Sequence, residues 1–242
     1  WVMYAIKNNW AGIENLALIP GTVGAAPMQN IGAYGVEVKD AIDEVTTWLW
    51  DEKKYITYKN EQCRFGYRDS IFKHELKGKA FIIDVTFRLN KRPVFHTSYG
   101  AIQQELDRTC ITDLSIKAIA DAVITIRSSK LPDPKQIGNA GSFFKNPTIP
   151  TTQYDELKKQ YAEIPSYPVD EGFVKVPAGW LIEQCGYKGY KTGHTGVHDK
   201  QALVLVNHGG ANGREVWALS ETILQAVQQK YGIVLEREVQ VW

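Results

Sequence analysis

Leu131-Pro132-Asp133-Pro134 divides this chain. Each proline pushes the residue before it out of the helical region and removes a backbone donor, so a helix entering the segment has to stop. Residues 114–129 supply that helix: Ile116, Ile119, Val123 and Ile126 recur on one face at helical spacing. Beyond the prolines runs Gly138-Asn139-Ala140-Gly141-Ser142-Phe143-Phe144-Lys145-Asn146-Pro147. Small residues let a backbone turn tightly and let a ligand come close. Ser142, Lys145 and Asn146 bring a hydroxyl, a cation and an amide to one small space. The aromatic pair between them reads as a wall against water. The combination points to a sheltered place where a proton is moved.

The chain on either side is large enough for a sizeable core. It has 242 residues, 44% of them hydrophobic, and a net charge of +1. That charge gives no field for nucleic acid, and no apolar run reaches membrane-spanning length. No secretory leader is visible. Cys63, Cys110 and Cys185 are an odd number at wide spacing, which argues against a disulfide framework and fits a reducing cytosol. The start, Trp1-Val2-Met3-Tyr4-Ala5-Ile6-Lys7, reads as the last turns of a helix stopped by Asn8-Asn9, and the chain reads as a piece of a larger protein.

Upstream of the division, residues 11–38 form a long stretch rich in Gly, Ala, Pro and Asn, with glycines at 12, 21, 24, 32 and 35. Unstructured stretches of this length are uncommon in compact domains and are often functional. Exposed amides there could meet a pyrophosphate or a flat ring. Residues 43–98 read as strands in an antiparallel meander. Val45, Thr47 and Leu49 alternate with Thr46, Trp48 and Trp50; Tyr55–Tyr58 and Phe81–Leu89 follow. Downstream, a helix is expected over 152–162, with Thr152 and Asp155 spaced as a capping box. Another helix starts at Pro177, and Ala202–Val206 is a short buried strand. Residues 213–230 form an amphipathic helix capped near Asn212 and ended by Gly232. Residues 233–242 close the chain as a strand with Glu236, Glu238 and Gln240 on one face.

Several chemistries fail on spacing. Gly141-Ser142-Phe143 lacks the Gly-x-Ser-x-Gly elbow of hydrolases. His194 and His198 are separated by poor helix formers, so no metal site is called. No Gly-x-Gly-x-x-Gly follows a strand. Gly66-Tyr67-Arg68-Asp69-Ser70 keeps two readings open: an arginine presented to a carboxylate, or a surface Arg68 paired with Asp69.

Taken together, the segments resemble the UDP-N-acetylenolpyruvoylglucosamine reductase (UDP-N-acetylmuramate dehydrogenase) family. The resemblance runs from about Gly12 to Val241. Its anchors are Glu14–Gly21, Gln29–Gly35, Cys63–Ser70, Lys130–Pro134, Gly138–Pro147, Ala178–Ile182 and Leu235–Val239. Tyr99, in Ser98-Tyr99-Gly100, favours the type I subclass. The resemblance implies an α+β protein: residues 1–131 as the second half of a PCMH-type FAD-binding domain, 132–232 as a smaller α+β domain for the UDP-sugar, and 233–242 as a strand returning to the FAD-binding region. It implies NADPH-dependent, FAD-mediated reduction of UDP-N-acetylglucosamine enolpyruvate to UDP-N-acetylmuramate, for peptidoglycan precursor synthesis, by a cytoplasmic monomer.

The same resemblance assigns residues. Ser142 is the proton donor, Arg68 the cation facing developing negative charge, and Glu238 a hydrogen-bonding partner. Lys145 or a water is a candidate to stabilise the serine alkoxide. Tyr34, Tyr99, Arg127, Lys130, Asn146, Tyr167, Lys175 and Gln201 match positions at the UDP-sugar. Gly21, Ala25, Ala26, Asn30, Gly32 and Gly35 match positions at the flavin, and no metal is implied. Two departures stand out. The family's N-terminal nucleotide-binding subdomain is missing before Trp1, and Arg237 replaces the proline common between two glutamates. The alternatives are a UDP-sugar-binding remnant without flavin, or another PCMH-type flavin oxidoreductase.

Overall fold

The computed structural model describes residues 1–241. The chain forms two compact units, Trp1–Ser129 and Lys130–Trp242, so the division falls just before the proline segment.

The first unit opens with helix α1, Val2–Lys7, which Asn8 caps before Asn9 takes a left-handed φ of 56°. The glycine-rich stretch that follows is built from tight turns. Short 3-10 turns cover Glu14–Leu16 and Val23–Ala25, and a small hairpin joins β1 (Gly32–Ala33) to β2 (Val36–Glu37). Strands β3 (Ile42–Leu49), β4 (Lys54–Lys59) and β5 (Ala80–Phe87) form an antiparallel sheet. Val45, Thr47 and Leu49 are buried as the alternation requires. The order is β4-β3-β5 rather than that of a meander. The reason lies in residues 60–79, which are too long for a hairpin loop. They fold on themselves through 3-10 turns at Asn60–Cys63 and Ile71–Lys73, bury Cys63, Ile71 and Phe72, and return the chain to the far edge of β3.

Two helices complete this unit. Helix α2, Gly100–Arg108, lies where no helix was expected; it buries Ile102 and Leu106. Helix α3, Ile116–Lys130, buries the expected Ile116, Ile119, Val123 and Ile126 and ends at the proline segment. Among the described residues no helix is long and apolar enough to cross a membrane.

The second unit holds two small sheets and three helices around one core. Strand β6 (Gly138–Ser142) leads to β7 (Thr148–Pro150), α4 (Thr151–Gln160), β8 (Tyr167–Pro168), β9 (Phe173–Lys175), α5 (Ala178–Gln184), β10 (Lys191–Thr192), β11 (Thr195–Val197), β12 (Val204–Asn207) and α6 (Gly213–Tyr231). The sheets run β10-β11-β12-β6 and β7-β9-β8, antiparallel throughout. Helix α4 lacks the expected capping box: it begins at Thr151 with Pro150 as its cap, so Thr152 is already inside the first turn. Helix α6 has the cap that α4 lacks. The Asn212 side chain accepts from the Arg214 and Glu215 amides, and Gly232 ends the helix at φ 65°.

The C-terminal segment is not a continuous strand. Ile233 and Leu235 enter the core of the second unit, and among the described residues the segment makes a single bridge, Phe144 with Arg237. Its last residue, Trp242, lies outside the described residues.

Two side-chain environments in the first unit give direct tests. The Gly32 carbonyl accepts from the Arg68 guanidinium at 2.6 Å. A Cβ at Gly32 would lie 2.9 Å from both Arg68 Nη1 and the Val36 carbonyl. The arginine tip could retreat, but the Val36 backbone cannot without breaking the hairpin. Gly32→Ala is therefore expected to cost about 1–3 kcal/mol, the usual scale for overpacking, read as a lower denaturant midpoint at unchanged m-value. Burial, reinforced by nearby Glu61, pushes the Cys63 thiol up to about 11. Cys110 is exposed. At pH 7.5 iodoacetamide should modify Cys110 in the folded protein well before Cys63, by peptide mapping, because only the thiolate reacts.

Candidate active site

The serine segment lies between two partners. Ser142 ends β6 opposite Val204, and the Phe143 amide donates to the Leu203 carbonyl at 2.8 Å. On its other side the Phe143 carbonyl accepts from the Glu238 amide at 2.9 Å, and the Lys145 amide donates to the Glu236 carbonyl at 2.9 Å. These bonds flank the Phe144–Arg237 bridge. Continuing that register sets Phe143 opposite Glu238, with Ser142 the next residue along. Two residues from distant parts of the sequence thus become neighbours in one short ladder.

The aromatic pair does not form the expected wall. Phe143 and Phe144 are 4% and 1% exposed and belong to the core, while Ser142 is exposed. The rings anchor the backbone, and the hydroxyl is left at the surface. Lys145 is committed as well: its ammonium pairs with Glu236.

Other expected residues gather around the start of α5 and the sheet beside it. Asn146 Oδ1 accepts from the Ala178 amide at 2.9 Å, which fixes one end of its side chain on the first turn. Gln201 Oε1 would be 3.1 Å from a Cβ at Gly179 and accepts from the Leu203 amide at 3.3 Å. Tyr167 and Lys175 are direct register partners in the β8–β9 pair, and Lys175 also faces Thr148. Tyr167 is half exposed, a phenol ring open to a ligand. Lys130 is exposed at the end of α3. His194 and His198 flank the short strand β11.

In the first unit, the surface reading of Arg68 gives way. Its side chain is only 17% exposed, with φ 55°, and its guanidinium donates to Gly32 and lies 3.9 Å from Glu37. Asp69 instead meets His74 at 2.8 Å. Burial works to raise the Asp69 carboxyl, but the His74 and Ser70 hydrogen bonds outweigh it and hold it below the ordinary carboxylate range.

Asn30 is fully buried and held in place by the chain. It donates to Glu37 and to the Gly66 carbonyl, and it accepts from the Lys39 amide. Tyr34, at a left-handed φ of 51° in the β1–β2 turn, packs edge to face with Tyr99, ring centres 5.6 Å apart, and hydrogen-bonds Arg127. Burial raises the Tyr34 hydroxyl pKa, partly countered by the Arg127 charge. Three residues expected near the sugar nucleotide thus meet in one cluster.

Asn15 escaped the sequence reading. It is 1% exposed, and its amide donates to the carbonyls of Tyr34 and His96 at 3.0 and 2.9 Å. Its Oδ1 and the Nε of Arg127 are buried with no hydrogen-bond partner among the described residues. A polar pair, Glu14-Asn15, inside an apolar run was the available signal.

The Gly21–Gly35 turns suit a dinucleotide. Gly21 has φ 118° and Gly35 φ 80°, and a Cβ at either would meet nothing within 4 Å. Thr22 caps the turn that carries Ala25 and Ala26. Among the described residues no acceptor takes the amides of Val23 and Gly24. Unclaimed amides at the start of a turn are donors for a pyrophosphate. The residues present therefore fit FAD.

Comparison with known proteins agrees. Residues 133–242 match the family profile described as UDP-N-acetylenolpyruvoylglucosamine reductase, C-terminal domain, and residues 2–55 match one described as FAD binding domain. The UDP-N-acetylenolpyruvoylglucosamine reductase of Chromobacterium violaceum is 52% identical over 239 residues, covering 98% of this chain and 70% of that protein. The one from Porphyromonas gingivalis is also 52% identical, covering 99% and 70%. A crystal structure of UDP-N-acetylenolpyruvylglucosamine reductase from Thermus caldophilus, 24% identical, superposes with a TM-score of 0.66, covering 100% of this chain and 68% of that one, which shows the same fold. The chain belongs to the UDP-N-acetylenolpyruvoylglucosamine reductase family, a family of FAD-dependent oxidoreductases.

Proposed function

We propose that this chain catalyses the NADPH-dependent reduction of UDP-N-acetylglucosamine enolpyruvate to UDP-N-acetylmuramate. The first unit serves as the flavin-binding half. The second holds the UDP-sugar, and Glu238 comes from the segment after residue 232. The observation that supports the reading is the ladder of residues 143–145 with 236–238, which makes the backbone of Glu238 a neighbour of the Ser142–Phe143 strand from distant sequence. FAD, which the turns of residues 21–35 would hold, would supply the two-electron hydride chemistry that links NADPH to the terminal vinyl carbon.

The chain's own residues handle the rest. Hydride addition breaks the carbon–carbon π bond and leaves an electron pair on the carbon beside the carboxylate. That charge spreads into the carboxylate and calls for a fixed cation and hydrogen bonds. Arg68 supplies the cation, with its guanidinium pre-set by Gly32 and Glu37. Glu238 supplies a hydrogen bond. Ser142 gives its hydroxyl proton to the carbon and recovers one from solvent. A hydroxyl is a weak acid, but a carbanion is a far stronger base. Unclaimed amides at Val23 and Gly24, with Gly21, Ala25, Ala26, Asn30, Gly32 and Gly35 shaping the turns, hold the dinucleotide. Lys130, Asn146, Tyr167, Lys175 and Gln201 in the second unit, with Tyr34, Tyr99 and Arg127 in the first, hold the sugar nucleotide. All three cysteines are free, as suits a cytoplasmic enzyme, and we propose that it acts as a monomer.

In the flavin-loaded enzyme, Ser142→Ala should leave reduction by NADPH within about twofold of wild type. Reoxidation by the enolpyruvyl substrate should slow by about 10²–10⁴-fold, the range for losing a proton donor. Stopped-flow absorbance of the flavin reads both steps, and unimpaired reoxidation removes Ser142 from the role. Lys175→Ala should raise KM for the UDP-sugar about tenfold with little change in kcat, the pattern of a lost ground-state contact. A colourless protein that still binds the UDP-sugar would overturn the reductase assignment.

A further inference from the structure

Arg237 is buried deeper than a charged residue on a chain terminus needs to be. Its side chain is 15% exposed, and its guanidinium carbon lies 3.8 Å from the centre of the Trp217 ring. Nε donates to Ser220 Oγ at 2.8 Å, and Nη2 donates to Glu221 at 2.6 Å. Trp217, Ser220 and Glu221 stand at i, i+3 and i+4 on α6, one face of one helix. Ser220 is fully buried, and its hydroxyl donates in turn to the Trp217 carbonyl at 2.7 Å. The cradle has a π face, a hydroxyl acceptor and a carboxylate. A planar guanidinium can use all three at once, and a compact ammonium cannot.

What this clamp holds is the ladder. Arg237 is the bridge partner of Phe144, and the next residue, Glu238, donates its amide to Phe143. Upstream of the clamp, Ile233 and Leu235 are fixed by the core. Downstream, Val239 packs against the same core, no further bridge is made among the described residues, and Val241 is 67% exposed. Arg237 is thus a buried polar anchor within the segment, one residue before Glu238 and one ladder step from the Ser142–Phe143 strand.

We infer that Arg237 is a positioning residue: docked on Trp217, Ser220 and Glu221, it sets the Glu238 carboxyl relative to Ser142 for the protonation step. The inference rests on the proposed role of Glu238 and adds the group that aims it.

The test uses flavin-loaded enzyme reduced by NADPH and mixed with the enolpyruvyl UDP-sugar. Arg237→Lys keeps the charge and loses the fork. Reoxidation should slow about 10- to 100-fold, the scale of a small misplacement at a reacting centre, while NADPH reduction stays within about twofold. Glu221→Gln, on a half-exposed helix position, should slow reoxidation in the same direction by less. In a Glu238→Gln background, Arg237→Lys should add less than about twofold, because the group it aims is already gone. Wild-type reoxidation in Arg237→Lys, with Glu238→Gln slow, overturns the positioning role and leaves the Glu238 assignment intact. Equal slowing by Arg237→Lys in both backgrounds also overturns it, since a purely structural loss would not depend on Glu238. Wild-type reoxidation in Glu238→Gln removes the catalytic reading of Glu238, and the inference with it.

Discussion

Three backbone steps tie the closing segment to the rest of the second unit: residues 143–145 run antiparallel to 236–238. Backbone hydrogen bonds fix distances more tightly than flexible side chains can, because the chain on either side is already anchored. Here the anchors are strong. Phe143 and Phe144 are driven into the core on one side, and Ile233 and Leu235 on the other. Burying an aromatic or leucine side chain is worth about 1.5–3 kcal/mol, so the ladder is held by core packing on both sides. Ser142 and Glu238 can then stay near the surface without losing their positions.

The first unit follows a different logic. Its turns are held by polar side chains that bond backbone. Asn15 ties Tyr34 to His96, Asn30 ties the hairpin to Gly66, and Arg68 ties residue 68 to Gly32. Left-handed residues at Asn30, Tyr34 and Arg68 show the same point, since such backbone conformations persist only when surroundings impose them. The unpartnered Asn15 Oδ1 and Arg127 Nε lie in this region. Buried polar atoms without partners are costly, and their presence marks a place built for something besides stability.

Periodicity read best where one face is apolar and the partner is simply the core. Helices α3 and α6 and the alternation in β3 follow directly from spacing. It failed where a partner was chosen by the rest of the fold. Strand β5 pairs with β3 because the intervening residues build their own small core, which no local pattern announces. Helix α2 was hidden by its polar composition: among its described residues, Ile102 and Leu106 are the fully buried ones. The closing segment alternates like a strand, yet among its described residues only one bridge forms.

The amino-acid order alone determined the division at the prolines, the small-residue approach to Ser142 and the set of side chains available for chemistry, because these depend on local sterics and composition. It could not determine what those side chains touch. Phe143 and Phe144 read as a wall but are core, Arg68 read as surface or interior, and Arg237 as one more alternating residue. Each choice was made by contacts between residues far apart in sequence. Trp217, Ser220 and Glu221 can receive Arg237 only once α6 and the closing segment have folded onto the same core.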